Sequence, residues 1–193
     1  MSLDQALDLL NDDGVCRIRT RRYALAPLAL DDIPPLLTHF ADPRVTRFLD
    51  IEPLVDRSDA RDVIDWADAM RVTGSGVRWA IRDREGGFVG TCGFHMMTFE
   101  RGRRAELGYD LRPDFWGQGT MDEVLPVVLD FGFRLLGLRR IEAMVTPGND
   151  HSCAVLARHG FRREGVLRDY AYWKSRFWDQ ILFARLSVDQ PPG

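Results

Sequence analysis

The sequence predicts a single α/β domain of the α+β type, a mixed, mostly antiparallel central sheet of about seven strands flanked by helices. Three observations predict it. The 193 residues are 45% hydrophobic and include 11 Phe, 5 Trp and 4 Tyr, which is enough to fill one core and too much for a disordered chain. Apolar periodicity switches between helical and strand spacing along the chain. No repeat and no linker of Pro, Gly or Ser divides it, so residues 15–187 read as one domain, with 1–14 as a helical arm and 188–193 as a tail.

In order, residues 1–14 place Leu3, Leu7 and Leu10 at helical spacing and end at Gly14. Residues 15–28 read as extended, and Asp31-Asp32 opens a short helix through Phe40. A second helix spans Ser58 to Met70, with Ser58 as N-cap and Val63, Trp66, Ala67 and Met70 on one face. Val77–Ile81, Phe88–Phe99 and Arg104–Leu111 read as strands, separated by the turns Arg84–Gly87 and Glu100–Arg103. The turn Trp116-Gly117-Gln118-Gly119 opens a long helix to Leu136, which Pro126 should bend. A strand over Arg140–Thr146 and a helix over Asn149–His159 follow. Phe161 to Leu186 reads as two strands joined around Lys174–Arg176, and Gln190–Gly193 is a polar, Pro-rich end.

The net charge is −3, from 26 basic and 29 acidic residues, and Lys174 is the only lysine. So balanced a chain argues against nucleic-acid binding by charge. No apolar run is long enough to span a bilayer and the start is acidic, which argues against membrane or secretory placement. Three isolated cysteines, Cys16, Cys92 and Cys153, support neither a disulfide framework nor a zinc site and fit a reducing cytoplasm. His39, His95, His151 and His159 have no metal-ligand spacing, so no metal is expected.

A strand, then Arg112-Pro113, then Gly-x-Gly, then an apolar-periodic helix can bind an anion, because glycines let the backbone curl and first-turn N–H groups point outward. The same pattern also serves as a tight strand-to-helix turn. Asn149 and Ser152, spaced Asn-x-x-Ser before an apolar helix, form a capping pattern. Tyr109, Trp116, Tyr170, Tyr172 and Trp173 fit either a core or the lining of an acceptor pocket.

Phe115–Gly119, Arg139–Ala143, Asn149–Ser152 and Gly160–Asp169 occur in an order that resembles the GNAT superfamily of acyl-CoA-dependent N-acetyltransferases, in its ribosomal-protein (RimJ/RimL-like) branch. Ala105–Tyr109 is similar to the strand before its glycine turn, and Thr20–Tyr23 with Pro27-Leu28 to its opening strand. The resemblance covers about residues 15–187. It implies a GNAT-like fold and direct transfer of acetyl from acetyl-CoA, as cosubstrate, to an amine. It places the cosubstrate across splayed strands 104–111 and 139–146, with its pyrophosphate on the turn formed by Gly117, Gln118, Gly119, Thr120 and Met121. It also implies that an amide near Leu107, Gly108 and Tyr109 polarises the thioester, that Asn149 contacts the pantetheine arm, and that Ser152 bonds the departing sulfur. Glu106, beside that thioester, is the candidate base, although a paired or solvated strand carboxylate fits the residue equally.

The acceptor is then a protein N-terminus, as in that branch, or a small-molecule amine. An open groove would suit the first and a closed, aromatic-rimmed pocket the second. Monomer and homodimer both remain open. Some positions depart from the pattern: Met121 stands where Gly or Ala is usual and would crowd the phosphates, Asp122 adds a carboxylate beside them, Leu156 stands where many members have a tyrosine, and Ala171 where one member type has a catalytic glutamate. Met121, Asp122 and Ala171 favour an alternative, a non-catalytic protein that keeps the fold and binds CoA or another ligand as a sensor or scaffold.

Overall fold

The computed structural model describes residues 2–12, 14–100 and 102–189. The expected tail end at 190–193 and Arg101 of the polar turn lie outside the described residues.

The elements are α1 (Leu3–Asn11), β1 (Ile18–Arg19), β2 (Ala24–Pro27), α2 (Ile33–Phe40), α3 (Pro43–Thr46), α4 (Arg57–Thr73), β3 (Val77–Arg82), β4 (Phe88–Thr98), β5 (Arg104–Leu111), α5 (Thr120–Asp130), β6 (Arg140–Val145), α6 (Asp150–Arg158), β7 (Arg162–Trp173) and β8 (Arg176–Leu186). The strands form one sheet of eight in the order β1-β2-β3-β4-β5-β6-β8-β7. The count is close to the expected seven or so; the extended segment 15–28 folds back on itself, and β1 pairs with β2 through Ile18–Leu25 and Arg19–Ala24.

All neighbouring strands are antiparallel except β5 and β6, which a crossover through α5 makes parallel. Those two pair only at Arg104–Arg140, Ala105–Ile141 and Glu106–Glu142. Beyond that point each strand stays with its other neighbour. β5 follows β4 as far as Leu111–Gly90, and β6 follows β8 as far as Val145–Ile181. The sheet therefore opens a gap between β5 and β6 after Glu106.

Each face has its own core. Trp79, Phe94, Leu107, Ile141 and Phe183 point to the side that also buries residues of α1, α5 and α6. Ala80 and Phe88 point to the side that buries residues of α2, α3 and α4. Strand alternation then puts Leu107 and Tyr109 toward α6, and Glu106, Gly108 and Asp110 toward α4. Helix α1 is packed into the first core, where Ala6 and Leu10 are fully buried.

Several local expectations need correction. The N-cap of α4 is Asp56, whose carboxylate accepts from the backbone N–H groups of Ser58 and Asp59; Ser58 lies inside the first turn. The buried stripe of α4 is Ala60, Ile64, Ala67 and Met70, and Trp66 is 47% exposed. Helical geometry in α5 continues through Pro126 to Asp130, then widens into a π turn over Phe131–Leu135, so the long helix is two pieces. The turn closes when Leu136 N–H donates to the Phe131 carbonyl.

Truncating a fully buried leucine leaves a cavity that the surrounding structure fills only in part. Leu10→Ala is therefore expected to cost ~2–5 kcal/mol of unfolding free energy in a urea titration. A change within error would mean that α1 is dispensable to the core.

Candidate active site

A cavity of about 570 Å³ crosses the sheet at the gap between β5 and β6. Toward α4 it is lined by Asp62, Trp66, His95 and Glu106, and toward α6 by Tyr109, Asn149, Ser152 and Leu156. Phe48, Tyr170 and Trp173 also contribute to its wall. The Lys174 ammonium donates to the carbonyls of Thr46, at 2.5 Å, and Leu49, at 3.2 Å, tying the β7–β8 turn to the end of α3 and the segment that follows it.

On the α4 side, Glu106 sits opposite His95 in the β4–β5 register, with Oε1 3.1 Å from His95 Nε2. The Glu106 side chain keeps 17% of its surface accessible and faces the cavity. On the α6 side, Asn149 caps α6 by accepting from Ser152 N–H at 3.2 Å. Ser152 Oγ lies 2.8 Å from the Tyr109 hydroxyl. Burial pushes the Tyr109 pKa up, and only part of that is offset by its bond to Ser152, so the phenol stays protonated at neutral pH. With Tyr109 donating to Oγ, the Ser152 proton is free to point into the cavity. Leu156 is fully buried, and the hydroxyl beside Ser152 is that of Tyr109 on β5.

The glycine turn lies at the other end of the β5–α5 connection and does not line the cavity. Gly117 and Gly119 both adopt φ +69°, a left-handed conformation that glycine takes without strain. Arg22 fixes the turn by donating to the carbonyls of Gln118, at 3.2 Å, and Gly119, at 3.1 Å. Across a planar trans peptide the N–H points opposite to the C=O. The N–H groups of Gly119 and Thr120 are thus turned away from Arg22, and the first turn of α5 adds donors that have no acceptor within the helix. Arg22 is held in turn by Glu123, with Nε–Oε2 at 2.6 Å. Burial alone would raise the Glu123 pKa, but bonds from Arg22 and Thr20 outweigh it and bring it down to about 2.

Both departures beside this turn are accounted for by contacts of their own, although Asp122 Oδ2 stays next to Gly119, 3.7 Å from where a Cβ would stand. The Met121 side chain is buried in the core, and Asp122 pairs with Arg158 and His159, each at 3.1 Å. Neither the expected crowding nor a free carboxylate at the turn occurs. Thr120 is also buried, its hydroxyl 3.0 Å from that of Tyr23, so Thr120 and Met121 can offer a ligand only their backbone.

The cavity floor holds a network that the sequence reading missed. Asp110, buried on β5, accepts from Arg78 Nη2 and Thr91 Oγ1 through Oδ2, both at 2.6 Å. Its Oδ1 accepts from the Thr91 N–H at 3.1 Å and lies 2.6 Å from His39 Nε2. Burial alone would raise the Asp110 pKa, but the bond and charge of His39, the Arg78 charge and Thr91 together bring it down to about 2. His95, which has no metal-ligand spacing, pairs with Glu106 across the β4–β5 register, a contact that no local pattern in the sequence signals.

A parallel strand pair that diverges, a helix N-terminus pinned after a glycine turn, and a carboxylate and a hydroxyl on opposite faces of the gap are the features that can be set beside known proteins. Residues 22–162 match the family model described as an acetyltransferase (GNAT) domain. The uncharacterized N-acetyltransferase p20 of Bacillus licheniformis is 40% identical over 168 residues, 86% of this chain and 94% of that protein. The [ribosomal protein uS5]-alanine N-acetyltransferase of Escherichia coli is 30% identical over 105 residues, 54% of each chain. The solved structure of Mycobacterium smegmatis RimJ in complex with CoA-disulfide shares the fold, with a TM-score of 0.81 at 24% identity over 91% of this chain and 90% of that one. The chain belongs to the GNAT acetyltransferase family and is an acetyl-CoA-dependent N-acetyltransferase.

A carboxylate whose folded pKa is depressed adds stability above its unfolded pKa, and that stability is lost as pH falls through the folded value. Asp110 therefore contributes fully above about pH 4, and its contribution fades as pH falls toward about 2. Asp110→Asn is expected to lose ~3–5 kcal/mol at pH 7, the cost of breaking a buried charge pair. In denaturant titrations its stability should also vary less between pH 5 and pH 2 than that of the unaltered protein.

Proposed function

We propose that this N-acetyltransferase acts by direct attack across the sheet, the amine arriving from the α4 side and acetyl-CoA lying on the α6 side. One observation carries the reading. A single cavity passes through the β5–β6 gap with Glu106 on one face and Ser152 on the other. Glu106, oriented by His95, takes the proton from the attacking nitrogen directly or through one water. Open β5 amides within Leu107–Tyr109 polarise the thioester carbonyl. Ser152, supported by Tyr109, donates to the departing sulfur, and Asn149 contacts the pantetheine arm. The amides of Gly117, Gln118, Gly119, Thr120 and Met121 hold the pyrophosphate, which suits donors that cannot titrate and that Arg22 keeps in place.

The acceptor we infer is a primary amine on a compact body. The aromatic walls of Phe48, Trp66, Tyr170 and Trp173 support a small-molecule amine, since pockets for such ligands are lined mainly by apolar and aromatic side chains. A protein N-terminus is the second reading. The relatives that act on ribosomal proteins favour it, and it would place one terminal residue in the cavity. The sensor or scaffold alternative loses its main support with Met121 buried and Asp122 paired.

Calorimetric titration with acetyl-CoA and with CoA is expected to show saturable one-to-one binding, and no binding at high micromolar ligand would sink the mechanism. Thiol release should then be followed with butylamine, phenethylamine, and tetrapeptides beginning with Ala or Ser. Glu106→Gln should lower kcat by roughly 10²–10⁴-fold with CoA affinity unchanged; an unaltered rate removes Glu106 as base. Met121→Ala should leave CoA affinity unchanged while costing ~2–5 kcal/mol of stability. Tighter binding would mean that the methionine does crowd the turn.

A further inference from the structure

Arg78, Gly93 and Gly108 stand in one row across β3, β4 and β5, on the face toward α4. The two glycines leave a channel along that row, and the Arg78 side chain lies in it. A Cβ on Gly93 would fall 2.2 Å from the Val77 carbonyl oxygen and 3.1 Å from Arg78 Cδ. A Cβ on Gly108 would fall 2.8 Å from Arg78 Nη1. The guanidinium therefore crosses β4 and ends over Gly108, in the stretch of β5 that has left β6.

Its other nitrogens are fixed. Nε donates to Thr91 Oγ1 at 2.9 Å and Nη2 to Asp110 at 2.6 Å, and Asp110 is itself anchored by His39. Among the described residues Nη1 has no hydrogen-bond partner. Arg78 lines the cavity, with 13% of its side chain accessible. A charge that is desolvated, held on two sides and left open on the third toward a reactive centre is preorganised to stabilise negative charge there.

We propose that Arg78 is a catalytic residue whose Nη1 donates to the acyl oxygen of the acetyl group, completing with the β5 amides an oxyanion site. The proposal rests on the acetyl-transfer reading above. As the amine lone pair forms the C–N bond, the carbonyl π pair moves onto that oxygen. Collapse restores C=O and breaks C–S, with its pair left on sulfur. The nitrogen's proton goes to Glu106, and sulfur is protonated from Ser152, which solvent reprotonates. Asp110, Thr91 and His39 are positioning residues, because they act through Arg78.

The test uses acetyl-CoA with hydroxylamine, a nucleophile small enough to reach any thioester and without a carboxylate, and follows thiol release above the uncatalysed rate. Arg78→Lys keeps the charge beside Asp110 but cannot reach Gly108, and Arg78→Gln removes the charge. Each is expected to lower kcat by roughly 10²–10³-fold, as loss of one oxyanion donor does, with CoA affinity by calorimetry within twofold. Should both fail to fold, Arg78→Gln combined with Asp110→Asn replaces the ion pair by a neutral one and is expected to show the same loss. A folded variant with unchanged kcat overturns the proposal. So does a loss seen only as a raised KM for glycine or alanine, which would make Arg78 a clamp for an acceptor's carboxylate. Absence of thiol release by the unaltered protein, with hydroxylamine and with every amine tried, would instead fail the acetyl-transfer reading itself.

Discussion

The divergence of β5 from β6 after Glu106 and Glu142 is the constraint on which the rest of the molecule depends. Up to that pair the strands share a ladder, and beyond it each keeps only its antiparallel neighbour. Backbone groups along the open edges lose their partners, a cost that a folded protein tolerates where a ligand or water supplies the missing bonds. The gap also joins the two faces of the sheet, which are otherwise separated by two distinct cores. A carboxylate facing α4 and a hydroxyl facing α6 thereby line the same cavity although they lie on opposite sides.

Elements far from the gap in sequence converge to hold its surroundings still. Arg22, from the turn between β1 and β2, pins the glycine turn before α5 through two carbonyls and Glu123. Lys174 spans from the β7–β8 turn to carbonyls at the end of α3 and just beyond it. Asp110 gathers β3, β4, β5 and α2 through Arg78, Thr91 and His39. Each tie joins a charged group to backbone or to an opposite charge in a partly dry setting, where such bonds are stronger than at the surface. Two residues with positive φ outside glycine, Met96 and Asp169, lie at irregularities of β4 and β7 next to this region. Such bulges re-aim side chains and are over-represented beside active sites.

Much of the site was legible because its chemistry is local in sequence. The Asn149 cap, the glycine turn and the strand bearing Glu106 each follow from a few adjacent residues. The partners of those residues were not legible. Counting back across the 100–103 turn from the Thr98–Arg104 pair would set Met96 opposite Glu106. The bulge in β4 shifts the register by one and brings His95 there instead. Trp66 fits a helical apolar stripe as well as its buried neighbours do, and only the packing of α4 turns it toward the cavity. Met121 and Asp122 read as obstacles because a helix N-terminus in sequence does not reveal which way its side chains face.

By itself the sequence determined the order of most elements, the mixed α/β class and the family, since periodicity, capping and turn chemistry act over short spans and several motifs occur in one order. Tertiary structure alone decided where the parallel pair parts, which residues meet across the gap, and that Arg78 lies along two glycines to reach it. Pairing register and side-chain reach across strands depend on contacts between residues 15 or more positions apart, as Arg78–Gly93 and Gly93–Gly108 are. No local propensity encodes such distances; only the closed sheet and its packed layers fix them.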